Sequence, residues 1–485
     1  MVNTPIIYWF RQDLRLRDLP GLAAAAATGR PVLPVYVLDN KNPSNWQPGA
    51  ASRWWLHQSL AALSGQLSSL SGRLTFFSGD PASIIPELAR RVGASDVYCS
   101  KQYEPWARRL ESKLSSVLIK DDIELKPFHG TLLWNPTSIS NKSGQPYKVF
   151  TPFWRTCRDA GDPEAPAGPI AKIRWHKPAL QGESLESWNL QPAKPDWAAH
   201  WGQIWQPGEE GAMKRLQQFL TDSLRGYGNG RDFPAIQSTS RLSAHLHFGE
   251  IAPNRVYHTL LQNKAMDLSS NSDTDKFLSE LGWREFSYHL LHHFPHVPER
   301  EFKAGFAKFP WSGSAQQYAA WKAGKTGYPI VDAGMRELYA TGTMHNRVRM
   351  VVASFLCKHL LIDWRAGQRW FWDTLVDADL ASNTCSWQWV AGSGADAAPY
   401  YRIFNPVTQS RKFDANGAYI RRWVPELALV PERYIHEPWT APQEVLEELG
   451  FALGVNYPCP MVDHRSAREG ALAAYAQLKS QHSSG

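Results

Sequence analysis

The sequence predicts an α/β N-terminal domain, built on a parallel five-stranded doubly wound sheet, followed by a larger all-α domain. Two observations support this fold class. Short β-rich runs alternate with amphipathic helical segments over residues 1–131, a spacing typical of a parallel sheet covered on both faces. Helical patterns dominate over residues 209–480, where few β-rich runs occur. A chain of 485 residues is long enough for two domains with separate cores.

Five short runs are the predicted strands of the N-terminal domain, because each is rich in β-branched and aromatic residues. They are Ile6–Phe10, Val32–Leu38, Leu74–Ser78, Asp96–Ser100 and Glu124–Phe128. The segments 51–70, 82–92 and 105–119 between them have the apolar periodicity of helices. RQDLRLRD follows the first predicted strand in place of a Gly-rich turn, which disfavours a standard dinucleotide site in this domain.

Residues 132–208 are predicted to connect the two domains. From residue 158 onwards this segment is rich in Pro, Gly and isolated Trp, a composition typical of irregular chain anchored by aromatic side chains. The helical runs that follow include EEGAMKRLQQFLTDSL and DKFLSELGWREFSYHLLHHF. No internal repeat is present.

The cysteine spacing, the lengths of the apolar runs and the net charge indicate a cellular compartment and a class of partner. The five cysteines are scattered without a CxxC pair, so reduced thiols in a cytoplasmic protein are expected and no metal site is predicted. No apolar run approaches the roughly 18 residues of a membrane span, and the N-terminus lacks the pattern of a signal peptide. The net charge of +7 favours an anionic partner, nucleic acid first. We expect a monomer without membrane contact.

The segment 324–405 is the most informative part of the chain. Trp364, Trp387 and Trp389 lie there among carboxylates, an asparagine and arginines, in a stretch too polar for an ordinary core. A tryptophan ring can stack on a base or lose an electron. Polar groups clustered around such rings indicate a charged, redox-active aromatic cofactor.

Five motifs resemble the photolyase/cryptochrome family, and nearly the whole chain follows the same order. They are YWFRQDLRLRD near the N-terminus, TSRLS at 239–243, ELGWREF at 280–286, GYPIVDAGMRELYATGTMHNRVRM at 327–350 and DADLASNTCSW at 377–387. The resemblance is closest to class I-like cyclobutane pyrimidine dimer photolyases. It implies a deoxyribodipyrimidine photo-lyase, in which FADH⁻ excited by blue or near-UV light donates an electron to a flipped dimer in UV-damaged DNA and splits it into two pyrimidines.

The resemblance also implies the residues that hold FAD. They are Tyr227, Thr239, Ser240, Arg241, Leu242, Ser243, Arg284, Asn346, Arg349, Asp377, Asp379 and Asn383. The hydroxyls and backbone N–H groups of TSRLS suit a pyrophosphate at a helix start, although the pentapeptide by itself fits a plain N-cap equally well. Arg349 and Asp377 are a candidate buried ion pair, which by itself is also an ordinary structural feature.

Asn383 is the residue that separates repair enzymes from sensors within the family. Its neutral amide can donate a hydrogen bond to flavin N5 without supplying a proton. Photolyases of the family carry Asn here, whereas plant-type cryptochromes carry Asp and animal-type ones Cys. Trp387, Trp364 and Trp311 match the family's electron-transfer triad, although a single Trp taken alone is normally a packing residue.

The catalytic pocket implied by the resemblance contains five residues. They are Glu280, Trp283, Asn346, Met350 and Trp389. Trp283 and Trp389 would wall the flipped dimer, and Glu280 lies one helical turn before Trp283. Enzymes that repair the (6-4) photoproduct carry histidines at the positions of Asn346 and Met350, for proton transfer. Met350 cannot transfer a proton, which favours the cyclobutane dimer.

Arg231, Arg347, Arg402 and Lys412 are the predicted phosphate contacts, and a solvated basic face is their alternative. A cryptochrome-type blue-light photoreceptor without repair activity is the alternative function, and a flavin electron-transfer protein is a weaker one. A second, antenna chromophore, either deazaflavin, folate or flavin, is also implied. Trp106 and Ala107 replace the Asn-Glu pair that helps some relatives bind folate, and Trp54 and Trp55 either line an antenna pocket or pack their helix.

Overall fold

The computed structural model of the chain describes residues 4–170, 172–177, 180–267, 271–397 and 401–483. Its first part contains a parallel sheet of five strands, in the order β3-β2-β1-β4-β5. The strands are β1 (Ile6–Phe10), β2 (Val32–Leu38), β3 (Thr75–Ser78), β4 (Asp96–Ser100) and β5 (Glu124–Phe128). All five predicted strands are confirmed, and β3 begins one residue later than the prediction.

Helices cover both faces of this sheet. They are α1 (Pro20–Ala27), α2 (Ala50–Ser69), α3 (Pro81–Val92) and α4 (Pro105–Leu118). Successive residues of β1 point to opposite faces, so that Tyr8 packs in one core with residues of α1 and α2, while Ile7 packs in the other with residues of α3 and α4. The doubly wound arrangement predicted from the sequence is therefore confirmed.

The rest of the described chain is mostly helical. The helices are α5 (Phe150–Asp159), α6 (Trp201–Ile204), α7 (Glu209–Asp222), α8 (Tyr227–Gly230), α9 (Ser243–His247), α10 (Pro253–Met266), α11 (Asn271–His293), α12 (Ala315–Lys322), α13 (Pro329–Thr341), α14 (Asn346–Ser354), α15 (Trp364–Thr374), α16 (Leu380–Ala391), α17 (Pro406–Phe413), α18 (Ala418–Trp423), α19 (Gln443–Glu448) and α20 (His464–Ser483). None of the helices in these described ranges is long and apolar enough to span a membrane.

Residue contacts divide the chain into two compact units. The first unit comprises Met1–Arg225, Ser240–Pro295 and Val376–Ala381, and it contains the sheet. The second unit comprises Gly226–Thr239, His296–Leu375 and Ser382–Gly485. Each unit is thus assembled from separate stretches of sequence, while the domain limits at residues 131 and 208 stay a prediction.

The tryptophans of the predicted connector are anchors of the first unit. Trp201 and Trp205 are buried, and their rings meet those of Trp54 and Trp55 on α2 edge to face, with 5.2 Å between centroids in each pair. The Trp55 indole N–H donates a 2.9 Å hydrogen bond to Glu250 Oε1. Trp54 and Trp55 therefore pack α2 against the connector, which agrees with one of the two interpretations of the sequence.

Candidate functional site

A cluster of charged side chains is buried in the first unit around Asp379. Asp379 stands just before α16 and is only 7% exposed. Tyr288 on α11 donates its hydroxyl hydrogen to Asp379 Oδ2, and Arg284 lies one helical turn earlier with its guanidinium 5.0 Å from the centre of the Tyr288 ring. His247, at the end of α9, places Nδ1 3.8 Å from Asp379 Oδ2. Arg284 and Asp379, predicted separately as cofactor ligands, thus belong to one cluster.

The electrostatics of this cluster keep Asp379 ionised. Burial alone would raise the pKa of the Asp379 carboxyl, but His247, the charge of Arg284 and the hydrogen bond from Tyr288 outweigh burial and hold that pKa well below its usual range. Burial raises the pKa of the neighbouring Glu285 to about 7, even though the backbone N–H groups of Leu133 and Trp134 donate to its carboxylate. The cluster therefore contains the buried anion Asp379 and the partly buried cation Arg284, whose Nη1 lies 3.4 Å from Glu285 Oε1.

The TSRLS segment begins a helix as predicted, but the helix is short. Ser243 is the first residue of α9, and the Leu242 N–H donates a 3.3 Å hydrogen bond to Ser240 Oγ. Arg241 has a left-handed backbone with φ of 54°, and its guanidinium stacks 4.2 Å above the ring of Trp205. Thr239 belongs to the second unit and the other four residues to the first.

Asn383 on α16 has the polar atoms that a flavin contact requires. The side chain is buried in the second unit, and Nδ2 donates one hydrogen bond of 3.0 Å to the carbonyl oxygen of Gln368 on α15. Among the residues that the structure describes, its second N–H and its carbonyl oxygen meet no hydrogen-bond partner. Because Nδ2 keeps one N–H uncommitted, this neutral amide fits the donor role predicted for Asn383.

The Arg349 side chain on α14 donates two hydrogen bonds within the second unit. Its Nε donates to the Met344 carbonyl at 2.7 Å, and Nη2 donates to Thr343 Oγ1 at 3.3 Å. Asp377 belongs to the first unit, so the ion pair between the two stays a prediction. Tyr227, another predicted ligand of FAD, is buried in α8 with the Arg231 guanidinium 5.5 Å from its ring centre.

Within the first unit, α11 carries two of the residues predicted to hold the lesion. The Trp283 ring stacks on that of Phe150 with 3.8 Å between centroids and 9° between planes. Glu280, one turn earlier, lies 3.3 Å from the ammonium of Lys276. Because the Phe150 ring covers one face of Trp283, the position of the indole is set by packing.

The second unit carries the other three residues predicted to hold the lesion, which are Asn346, Met350 and Trp389. Asn346 is the first residue of α14, and Met350 follows one turn later with its sulfur 3.8 Å from Arg347 Nη1. Trp389 on α16 donates its indole N–H to the Asp396 carbonyl at 3.1 Å, and the Arg402 guanidinium lies 5.9 Å from its ring centre. The pairing of Asn346 with Met350 on one helical face is as the sequence predicted.

The three tryptophans of the predicted electron-transfer triad lie in the second unit. Trp387 and Trp364 are buried, and Trp311 is partly exposed with its ring centroid 4.4 Å from that of Phe309. Trp364 places its indole nitrogen 3.5 Å from Glu301 Oε1. Trp321 was not predicted from the sequence, and its ring meets that of Trp387 edge to face at 6.3 Å. No local pattern marks Trp321, because the fold alone brings α12 beside α16.

Two of the predicted phosphate contacts share one aromatic ring in the second unit. The Arg347 guanidinium lies 4.5 Å and the Lys412 ammonium 5.2 Å from the ring centre of Phe413. Arg347 also forms a 2.8 Å ion pair with Asp232, next to the predicted contact Arg231. A basic surface is therefore built from α14, α17 and the segment after α8.

Comparison with known proteins identifies relatives of this chain. A family model described as DNA photolyase matches residues 6–170, and one described as the FAD binding domain of DNA photolyase matches residues 277–477. The deoxyribodipyrimidine photo-lyase of Agrobacterium fabrum is 50% identical over 98% of both chains. Cryptochrome-1 of Arabidopsis thaliana is 36% identical over 97% of this chain and 70% of its own.

A similar solved structure matches this chain in three dimensions. It is described as a bacterial class III photolyase from Agrobacterium tumefaciens, and it superposes with a TM-score of 0.95 at 49% identity, covering 99% of this chain and 98% of that one. The motifs of the sequence resemble class I-like enzymes most closely, whereas this structural neighbour is described as a class III enzyme of the same family. The chain belongs to the photolyase/cryptochrome family and carries the FAD-binding domain of the DNA photolyases.

Proposed function

We propose that the protein is a light-dependent DNA repair enzyme that splits cyclobutane pyrimidine dimers. The observation that carries the substrate assignment is the pair Asn346 and Met350 on one face of α14. An amide and a thioether can hold and pack a lesion but cannot donate or accept a proton at neutral pH. Opening a cyclobutane ring needs no proton transfer from the protein, whereas reversing a (6-4) photoproduct does. The full-length similarity to a deoxyribodipyrimidine photo-lyase supports the same assignment.

FAD is the cofactor of this chemistry: in its reduced form, under blue or near-UV light, it supplies the electron that opens the ring and recovers it afterwards. The buried amide of Asn383 suits flavin N5, since a neutral donor there adds no proton. The hydroxyls of Ser240 and Ser243 suit the phosphates, while Arg284 and the ionised Asp379 offer a fixed cation and anion to the polar part of the cofactor.

The residues predicted to hold the lesion lie on α11 in the first unit and on α14 and α16 in the second. A dimer must leave the duplex before it can be reached, which exposes its ring faces and its carbonyl and N–H edge. Trp283 and Trp389 would stack against those faces, and the Glu280 carboxylate would accept a hydrogen bond from the N–H edge. Asn346 would complete the edge contacts, and the apolar Met350 would fill space without competing for them.

The phosphate contacts fix the register of the DNA. Arg231, Arg347, Arg402 and Lys412 lie in the second unit, and each would neutralise backbone charge without reading sequence. Binding is accordingly expected to weaken steeply with salt concentration.

In the decisive experiment, the reduced protein is given two oligonucleotides in separate reactions. One oligonucleotide carries a cyclobutane thymine dimer and the other a (6-4) photoproduct. Each is incubated in the dark and under blue light. We expect light-dependent loss of the cyclobutane lesion alone. If the protein photoreduces FAD but repairs neither lesion, the cryptochrome-type photoreceptor becomes the better assignment, as its similarity to Cryptochrome-1 allows.

The tryptophan relay gives a separate expectation. Trp387→Phe should abolish light-driven reduction of oxidised FAD, because phenylalanine is much harder to oxidise than tryptophan, and it should leave repair by chemically reduced protein intact. Flavin absorbance under continuous blue light measures the first effect. Trp439→Phe, which changes a partly buried indole packed on Tyr328, serves as the matched control. Unchanged photoreduction in Trp387→Phe would remove Trp387 from the relay.

A further inference from the structure

A short loop of the second unit, residues 231–238, is held in one conformation by its own hydrogen bonds. The Arg231 N–H donates to the Tyr227 carbonyl at 3.0 Å, and the Phe233 N–H donates to the Gly230 carbonyl at 3.1 Å. The Ser238 hydroxyl donates to the same Gly230 carbonyl at 2.6 Å, which closes the loop. Side chains on this 231–238 loop are therefore presented from a fixed backbone.

Two large apolar side chains project from the loop into solvent. Phe233 is 39% exposed and Ile236 is 53% exposed, and the Ile236 N–H donates to the Phe233 carbonyl at 3.4 Å. Single exposed apolar residues are common on protein surfaces. Phe233 and Ile236 are three residues apart on one ordered loop, so both side chains are accessible to the same partner molecule.

The apolar pair is surrounded by positive charge. Phe233 meets the Phe413 ring edge to face at 6.3 Å, and Phe413 is the ring over which Arg347 and Lys412 lie. On the other side, Arg422 Nη2 donates to the Ala235 carbonyl at 3.2 Å. Asp232 is the carboxylate in the loop, and it pairs with Arg347. Within the described ranges Lys412 and Arg422 have no ion-pair partner, so their charge is available to an anion.

The surface lies next to Asn346, one of the residues proposed to hold the lesion. The 2.8 Å ion pair between Asp232 and Arg347 ties the loop to the first turn of α14. Asn346 precedes Arg347 directly in that turn. A nucleic acid strand that reaches Asn346 must therefore pass close to the loop.

We propose that Phe233 and Ile236 form an apolar wedge that packs against the sugars and bases of damaged DNA beside the flipped dimer, while Lys412 and Arg422 hold the flanking phosphates. The inference rests on the proposed repair function. Flipping a dimer leaves unstacked base surface in the duplex, and an aromatic ring can cover it because every base offers a π face. Phosphate contacts alone would attract duplex of any kind, whereas the wedge would favour DNA whose stack is interrupted.

The test measures how the Kd of the FAD-loaded protein for DNA depends on salt concentration. This dependence separates the apolar from the ionic contribution to DNA binding. Phe233→Ala/Ile236→Ala should raise the Kd for a cyclobutane-dimer duplex about 10-fold at every salt concentration, with an unchanged slope of log Kd against log salt. Lys412→Ala/Arg422→Ala should instead lower that slope by about 2, since each lost phosphate contact removes about 0.9. Leu429→Ala/Val455→Ala, which removes apolar side chains 74% and 83% exposed elsewhere in the second unit, should change neither quantity.

A base analogue reports the contact directly. With 2-aminopurine beside the dimer, its fluorescence in the complex should be lower with the unchanged protein than with Phe233→Leu. The phenyl ring can stack on the base and quench it, whereas leucine, which keeps an apolar side chain against Phe413, cannot. Equal affinity and equal quenching in the Phe233 variants would overturn the wedge. If the unchanged protein shows no preference for dimer-containing duplex, the repair function and the wedge fail together. If it prefers the dimer and the variants match it, the wedge alone fails.

Discussion

Replacing Asp379 with asparagine is expected to lower the free energy of unfolding by roughly 2 kcal/mol at neutral pH, because the amide lacks the charge that His247, Arg284 and the Tyr288 hydroxyl stabilise at this buried position. The amide still accepts the hydrogen bond from Tyr288 but carries no charge. FAD content should fall as well, since Asp379 and Arg284 are both proposed cofactor contacts. Urea unfolding of the apoprotein, followed by tryptophan fluorescence, measures the first effect, and flavin absorbance of the purified protein measures the second.

The pH dependence of this effect has a definite sign. The folded-state pKa of Asp379 lies below the value of about 3.9 expected in the unfolded chain. The carboxylate therefore contributes stability that is fully present above about pH 4 and is lost as the pH falls towards the folded-state pKa. The stability difference between the unchanged protein and Asp379→Asn should be constant near neutrality and shrink below about pH 4.

A matched substitution on the surface distinguishes burial from charge. Asp275, also in the first unit, is 55% exposed in its side chain and pairs with Lys264 at 2.6 Å. Asp275→Asn should change stability by less than about 1 kcal/mol, because an exposed pair is screened by water. Equal losses in the two variants, or no loss in Asp379→Asn, would contradict a stabilising buried cluster.

Trp283→Ala is expected to raise the Kd for dimer-containing DNA roughly 5- to 150-fold, since one base–aromatic stack contributes about 1–3 kcal/mol. Phe150 already covers one face of the indole at 3.8 Å, which leaves the opposite face to the lesion. Affinity for undamaged DNA should stay the same, because in the proposed function only a flipped dimer would reach the Trp283 ring. Binding titrations with the two duplexes at one salt concentration measure the effect.

The control for this variant is Trp197→Ala. Trp197 is likewise a partly buried indole of the first unit, and it packs edge to face on Trp201 at 5.0 Å. It lies outside the proposed site, so lesion preference should be retained. Parallel loss of affinity for damaged and undamaged DNA in Trp283→Ala would mean that the ring supports the fold and does not stack on the dimer.

The elements that local pattern predicts well are the five strands and the helices α2, α3 and α4, whose limits agree with the sequence to within one residue. Helix α1 was missed for a physical reason. Its sequence PGLAAAAA is small and apolar throughout, so it has no polar face and no helical periodicity to detect. The family and FAD were identified from motifs, because cofactor chemistry demands particular residue types at fixed positions.

What the sequence determined by itself is therefore the five strands, three of the helices between them, the family, and the residue types proposed for contact with a flavin and a lesion. The tertiary structure decided which of those residues meet. Tyr288 and Asp379 are far apart in the chain yet share a hydrogen bond, and Trp321 joins Trp387 only because α12 packs beside α16. Periodicity reflects steric preferences over a few residues, whereas such contacts depend on the packing of whole helices. The same is true of Phe233 and Arg422, which form one surface only in the folded second unit.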